Sequence, residues 1–169
     1  MPERLPEVVD PIGLAEKGRR LTGCLALGQL DRLAPALLCL EGQVDVDLRF
    51  ERQGRLSVVL GQVTTVLSLE CQCCLEPMTL PVNAQVQLAV VTNLDAAVSL
   101  SEEYEALVVD EDRQVAIRDI VQDELLLAIP AIPQHAACTR MTVAQGQPEA
   151  RPNPFSALAD LKQKSFDQE

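Results

Sequence analysis

The fold of this chain is constrained most by two segments of its sequence. In both segments apolar and polar residues alternate strictly. In residues 44–50 the apolar side chains occupy every second position, and Asp or Arg fills the positions between them. In residues 80–90 the even positions are all apolar, whereas Pro, Asn, Gln and Ala fill the odd ones. Successive side chains of a β-strand point to opposite faces, so this period of two predicts strands with one buried face.

Further strands are predicted on either side of these two segments. Gln53 and Gly54 form a turn, residues 56–60 begin a return strand, and residues 63–69 are rich in β-prone Val, Thr and Leu. Shorter strand candidates are residues 21–27, 106–109 and 115–117. This pattern predicts an α+β fold, in which an antiparallel β meander or partly closed barrel is flanked by a few short helices and followed by an extended C-terminal segment.

Two short helices are predicted where capping residues and prolines coincide. Asp10 and Pro11 suit an N-cap and the first helical position. Asp119 opens a second helix with an apolar face, and Pro130 ends it.

The C-terminal part of the chain is richer in proline than the rest. Five of the eleven prolines lie between residues 130 and 154. We therefore expect a single β-rich domain with flanking helices over residues 1–138, followed by a Pro-containing connector and a short helix over residues 139–169.

The predicted C-terminal helix is amphipathic. It carries one narrow apolar stripe and two lysines in its last turn, namely Phe155, Leu158, Leu161, Lys162 and Lys164. One hypothesis is that this helix docks in a groove of a partner protein. The alternative is that the stripe packs on the sheet of the same chain.

The charge of the chain bears on its partners. The formal net charge is −11, from 14 basic and 25 acidic residues, and a phosphate backbone repels such a protein unless it has a basic face. Residues 91–112 contain seven acidic residues and no Lys or Arg. This stretch is either a solvated loop or a surface that attracts a basic protein.

The sequence predicts neither a membrane span nor an export signal. Met1 is followed by charged residues and Pro without an apolar stretch, and the apolar-leaning run of residues 56–69 is shorter than the roughly 20 residues that a spanning helix needs. We therefore expect a cytoplasmic protein without membrane contact. In such a reducing compartment the six cysteines are predicted to be thiols or metal ligands.

Four Cys and His residues have the spacing of a tetrahedral metal site. Cys71 and Cys74 form a C-x2-C pair at a predicted hairpin, which can offer two thiolates to one ion. His135 and Cys138 repeat this spacing just after the predicted helix. Together they would form a Cys3His site, and this mixture of thiolates and imidazole suits zinc.

The alternative interpretation is a turn without metal. Cys71 and Cys74 are then ordinary thiols at a hairpin, and His135 is exposed. A metal-binding knuckle usually carries Gly directly after its second Cys, and this chain has Leu75 there. In that case the chain has no cofactor.

The remaining cysteines have less specific contexts. Cys73 could replace a ligand in a neighbouring geometry or face the core. Cys24 and Cys39 lie among apolar residues and are predicted to be small buried side chains.

Signals for catalysis are weak. The chain has a single histidine, so any Cys–His nucleophile pair must use His135. The sequence has no glycine-rich phosphate loop and no G-x-S-x-G motif. We therefore expect no enzyme, and a zinc- or thiol-dependent enzyme is the least favoured alternative.

Three segments in this order together resemble a known family. They are LECQCCLEP at residues 69–77, DIVQDELLLAIP at residues 119–130 and NPFSALADL at residues 153–161. With Asp10-Pro11 near the start, they are similar to the YceD family, also called the large ribosomal RNA subunit accumulation protein, over nearly the whole chain. The resemblance implies a role in the synthesis, processing or stability of 23S ribosomal RNA, and it supplies no catalytic residues.

The resemblance also implies a kind of partner, because bacterial members are commonly encoded beside a gene for a large-subunit ribosomal protein. Combined with the negative charge, it favours a non-enzymatic factor that supports 23S rRNA and large-subunit assembly by binding a basic ribosomal protein or assembly factor. The alternative is a protein that binds the rRNA directly. Many members have further cysteines after the helix–proline segment, where this chain has only His135 and Cys138.

Overall fold

The computed structural model describes residues 5–110 and 112–138 of the 169-residue chain. Within these residues the strands and helices follow in the order β1 (Val8–Val9), α1 (Pro11–Glu16), β2 (Arg20–Ala26), β3 (Gln43–Gln53), β4 (Leu56–Glu70), β5 (Pro77–Val91), α2 (Leu94–Val98), β6 (Glu105–Val108), β7 (Val115–Ala116) and α3 (Ile117–Ala128). Strands β2 to β6 form one sheet in chain order, and β1 pairs with β7 in a separate ribbon.

One face of the five-stranded sheet carries the hydrophobic core. The alternation in residues 44–50 has the predicted result, because the side chains that it places on one face are all buried, namely Val44, Val46, Leu48 and Phe50. In β5, Val82 and Val86 are buried on the same pattern. Helices α1 and α3 and the segment that contains Leu27, Leu30 and Leu33 contribute the other side of this core.

The acidic stretch forms a crossover between two neighbouring parallel strands. Strand β6 pairs with β5 in parallel, whereas the other strands of the sheet pair antiparallel. The chain therefore returns from the end of β5 through α2, which lies against both β5 and β6. Near this crossover Val58 of β4 and Ala89 and Val91 of β5 are also buried, although they do not belong to the main hydrophobic core. The acidic stretch is thus partly structured and is not simply a solvated loop.

Helix α3 follows β7 without a loop and covers the core face. It begins at Ile117, two residues before the predicted start at Asp119, because the Ile117 N–H donates to the Glu7 carbonyl beside the β1–β7 ribbon at 3.1 Å. Gln122 is buried in the middle of α3, and its Oε1 accepts from the backbone N–H of Arg32 at 2.8 Å. This bond satisfies the buried amide oxygen and ties α3 to the segment before β3.

The predicted α+β class is confirmed, and the sheet is open. Strands β2 and β6 are its two edges, so the meander describes the sheet better than a barrel does. The predicted connector and C-terminal helix lie outside the described residues, as do Phe155, Leu158, Leu161, Lys162 and Lys164. Among the helices of the described part, none combines the length and the apolar character needed to cross a bilayer.

Candidate metal centre

The first half of the candidate metal centre is the turn between β4 and β5. The Leu75 N–H donates to the Cys71 carbonyl at 2.8 Å, and the Cys71 N–H donates to the Glu76 carbonyl at 2.9 Å. Leu75 has a φ of 63°, the left-handed conformation that Gly adopts without cost. Leu75 therefore adopts a conformation suited to the Gly that usually follows the second Cys of such a pair, although that Gly is missing here.

The second half is the segment that follows α3. The Cys138 N–H donates to the His135 carbonyl at 3.1 Å and closes a second short turn. The Gln72 N–H donates to the Pro133 carbonyl at 2.9 Å, so a backbone hydrogen bond joins this segment to the first turn. Helix α3 carries the chain across the core face and delivers His135 and Cys138 to the hairpin.

The structure brings the four predicted ligands together. The ligand atoms of Cys71, Cys74, His135 and Cys138 all lie within 4.8 Å of one another. The Cys71 and Cys138 Sγ atoms are 3.7 Å apart, and the Cys74 Sγ is 3.5 Å from the His135 Nδ1. With Zn–S bonds of about 2.3 Å and Zn–N bonds of about 2.05 Å, a tetrahedral ion separates two thiolates by about 3.75 Å and a thiolate from an imidazole by about 3.55 Å. The cluster could therefore hold a metal, and both short separations fit zinc.

The electrostatic surroundings favour a thiolate at Cys71. Burial raises the pKa of this buried thiol, but backbone N–H groups of Cys74, His135 and Cys73 donate to its sulfur and lower the pKa to about 6. Hydrogen bonding to the Cys73 side chain, followed by burial and by the Cys71 and Cys74 thiols, raises the pKa of Cys138. The Cys71 sulfur is thus favoured as a thiolate that can bind a cation. The Cys138 thiol, by contrast, keeps its proton when no cation is bound.

Of the three other cysteines, Cys24 and Cys39 differ from their predicted environments. Cys73 interacts with the Cys138 side chain, so it lies beside the four ligands. Cys39 is exposed, and Cys24 is half-buried with its Sγ 3.1 Å from the Asp45 Oδ1. The prediction that Cys24 and Cys39 are buried is therefore wrong, because β2 is an edge strand and Cys39 lies in the open loop before β3.

The conformation of Leu75 leads to a stability prediction. Its side chain is 69% exposed, so replacing it removes little packing. We expect Leu75→Gly to raise the free energy of unfolding by about 0.5–1 kcal/mol in urea denaturation, because it relieves the left-handed strain. Leu75→Ala is the matched control, since it truncates the side chain but keeps the Cβ. Equal stability of the two variants would contradict this explanation.

A second surface with functional potential surrounds the edge strand β6. A turn closed by the Tyr104 N–H and the Ser101 carbonyl exposes Glu102 and Glu103 directly before β6. Helices α2 and α3, strand β6 and this turn carry a group of carboxylates that we call the acidic edge. Its members are Asp95, Glu102, Glu103, Glu105 and Glu124. Burial, followed by Glu105 and Asp123, raises the pKa of Glu124, which indicates that negative charges of β6 and α3 crowd together.

Fold and site together define a class: an α+β protein whose open sheet carries a Cys3His cluster at one hairpin. The family model described as "Large ribosomal RNA subunit accumulation protein YceD" matches residues 59–162. A Haemophilus influenzae protein of the same description is 36% identical over 170 aligned residues, which cover 95% of this chain and 98% of that relative. No solved structure matches the chain. The chain belongs to the YceD family, as its sequence motifs predict.

Proposed function

We propose that this chain is a cytoplasmic, non-enzymatic factor that supports the accumulation of 23S ribosomal RNA by binding a basic large-subunit ribosomal protein or assembly factor. The relative from Haemophilus influenzae is named for large ribosomal RNA subunit accumulation, and it aligns with nearly the whole of this chain. The observation that carries the proposed mechanism is the acidic edge. It combines negative charge with a sheet edge that has no strand partner in the described residues.

The acidic edge has the chemistry of a protein-binding surface. Apolar side chains lie exposed among its carboxylates, with Leu94 at 73%, Val98 at 89% and Val108 at 44% of full exposure. Exposed apolar groups supply contact area, and carboxylates select a basic partner and speed its association. An extended basic segment of a ribosomal protein could also pair with the free edge of β6. We propose the predicted C-terminal stripe of Phe155, Leu158 and Leu161 as a second contact with the partner.

The role that we assign to the Cys3His cluster is structural. A zinc ion held by Cys71, Cys74, His135 and Cys138 would supply a cross-link between the β4–β5 turn and the segment after α3. This assignment uses the only histidine of the chain as a ligand and leaves it unavailable as a general base. It therefore favours a binding protein over a thiol- or zinc-dependent enzyme, and purified protein is expected to leave rRNA precursors uncut.

Affinity capture tests the proposed mechanism. Tagged full-length chain is captured at moderate salt with and without RNase, and ribosomal proteins and assembly factors are identified by mass spectrometry. We expect a basic large-subunit protein to remain after RNase treatment. Loss of all such partners on RNase treatment would contradict the mechanism.

Charge reversal locates the contact on the acidic edge. Glu102→Lys/Glu103→Lys is expected to reduce RNase-resistant capture by about tenfold or more, since like charges then face the partner. Glu7→Lys/Glu41→Lys changes the net charge equally at exposed positions elsewhere and serves as the control. If both pairs of substitutions reduce capture equally, the effect comes from net charge and not from the acidic edge.

A further inference from the structure

The sheet has a second face, opposite the main core, that is largely bare. Pairing places Arg20 of β2, Arg49 of β3, Leu60 of β4 and Gln87 of β5 in one row across four strands. A groove of about 300 Å³ lies on this face. We call it the basic groove, and its polar lining consists of Arg20, Asp47, Arg49, Gln62, Gln85 and Gln87.

The basic groove differs in charge from the rest of the molecule. Residues 17–20 and 49–55 hold six of the nine Lys and Arg residues of the described part of the chain. Asp47 and Glu51 lie on β3 beside them. The Tyr104 hydroxyl donates to the Gln53 side chain at 2.6 Å, so the turn with Glu102 and Glu103 also lies next to the 49–55 segment. Of these six basic residues Arg20 and Arg49 line the groove, and with Asp47 they give its lining a formal charge of about +1 although the whole chain carries −11.

The two arginines of the groove are positioned differently. Asp47 Oδ1 accepts from Arg20 Nε at 2.7 Å and Asp47 Oδ2 accepts from Arg20 Nη2 at 2.5 Å. This bidentate pair fixes the Arg20 guanidinium over the sheet and neutralises much of its charge. Arg49 is exposed and makes no salt bridge within residues 5–110 and 112–138. After Arg20, Arg49 also lowers the pKa of the Asp47 carboxyl, so it lies near that carboxylate without being held by it. Its guanidinium can therefore bind an anion without breaking a salt bridge.

The neighbouring amides determine which anion fits the groove. Gln62 and Gln85 are directly opposed on β4 and β5, and Gln87 follows on the same face. Each amide both donates and accepts hydrogen bonds, which suits ribose hydroxyls and base edges. Together with the two arginines, these amides suit a ligand that combines phosphates with hydroxyls and base edges, as a nucleic acid does.

We propose that the basic groove binds the backbone of a short single-stranded RNA segment, with the two arginines at phosphates and the glutamines at sugars or bases. No aromatic side chain lines the groove, so binding relies on phosphate and polar contacts and not on base stacking. This RNA contact is additional to the protein contact of the acidic edge and lies on different residues. The two contacts can therefore fail independently.

RNA titration of the full-length chain tests this inference. The probe is a fluorescent single-stranded RNA of about 20 nucleotides and mixed sequence, titrated at salt concentrations between about 50 and 200 mM. Two phosphate contacts predict a slope of about −1.4 in log K against log salt. Arg20→Gln/Arg49→Gln is expected to weaken binding at the lowest salt by about tenfold and to flatten the slope.

The control removes two positive charges elsewhere on the surface. Arg113→Gln/Arg118→Gln changes exposed residues outside the groove and is expected to leave RNA binding within about twofold of the unmodified chain. Absence of RNA binding at the lowest salt, or equal weakening by both pairs of substitutions, would overturn the inference. Equal affinity for a polyglutamate peptide of similar length would overturn it too, because the groove would then be a general anion site. RNase-resistant protein capture reports separately on the acidic edge.

Discussion

Cys71→Ser is expected to abolish zinc binding and to lower the melting temperature by about 10 °C. If free zinc exceeds its dissociation constant about 1,000-fold, bound zinc stabilises the folded state by about 4 kcal/mol. For a domain of this size each kcal/mol of stability changes the melting temperature by roughly 2–4 °C. Cys71 is the fully buried ligand, and its sulfur receives several backbone N–H groups, so serine cannot reproduce its role. Metal analysis and thermal denaturation measure both effects.

Two other cysteines supply controls for this substitution. Cys73→Ser alters a thiol that lies in the same turn as Cys71 but is not one of the four ligands. Cys39→Ser alters an exposed thiol that is distant from Cys71 in the sequence. Both variants are expected to retain about one zinc per chain. A chain that is purified without chelators and contains almost no zinc would contradict the metal centre. So would a loss of metal from Cys73→Ser as large as that from Cys71→Ser.

Gly61→Ala is expected to lower the free energy of unfolding by about 3 kcal/mol, because the added Cβ has no room. Gly61 lies in β4 opposite Leu48 of β3, and a Cβ at this position would be only 2.0 Å from the backbone oxygen of Asp47. That oxygen cannot move unless β3 moves away from β4. Urea denaturation of the two proteins measures the difference.

The matched control is Gly28→Ala. A Cβ at Gly28 meets its nearest heavy atom, the Leu40 carbonyl oxygen, at an ordinary 3.8 Å. We expect this variant to stay within about 0.5 kcal/mol of the unmodified chain. If Gly61→Ala is as stable as Gly28→Ala, the strands are not as close at this point as the structure indicates.

The features that the sequence predicts well are those set by local spacing. The alternation in residues 44–50 predicts both the strand and its buried face, since it depends only on the pleat. The C-x2-C and H-x2-C spacings likewise identify the four residues that the structure clusters. In the first case one short segment contains the whole signal, and in the second each of two short segments contains half of it.

Features that depend on pairing between distant segments could not be predicted in this way. The parallel pairing of β6 with β5 requires the crossover through α2, and no local pattern distinguishes it from an antiparallel hairpin. The basic groove depends on the register that places Arg20 opposite Arg49. Leu75 shows a different limit, because surrounding hydrogen bonds impose a conformation that its residue type disfavours.

The most direct test of the proposed function is the ratio of 23S to small-subunit rRNA in cells that lack this chain and receive it back in altered forms. We predict a low ratio without the chain and full recovery with the unmodified chain or with Glu7→Lys/Glu41→Lys. Glu102→Lys/Glu103→Lys, expressed at the same level, is predicted to leave the ratio low. Full recovery by that variant, or an unchanged ratio in cells without the chain, would contradict the proposal that this protein supports rRNA accumulation through its acidic edge.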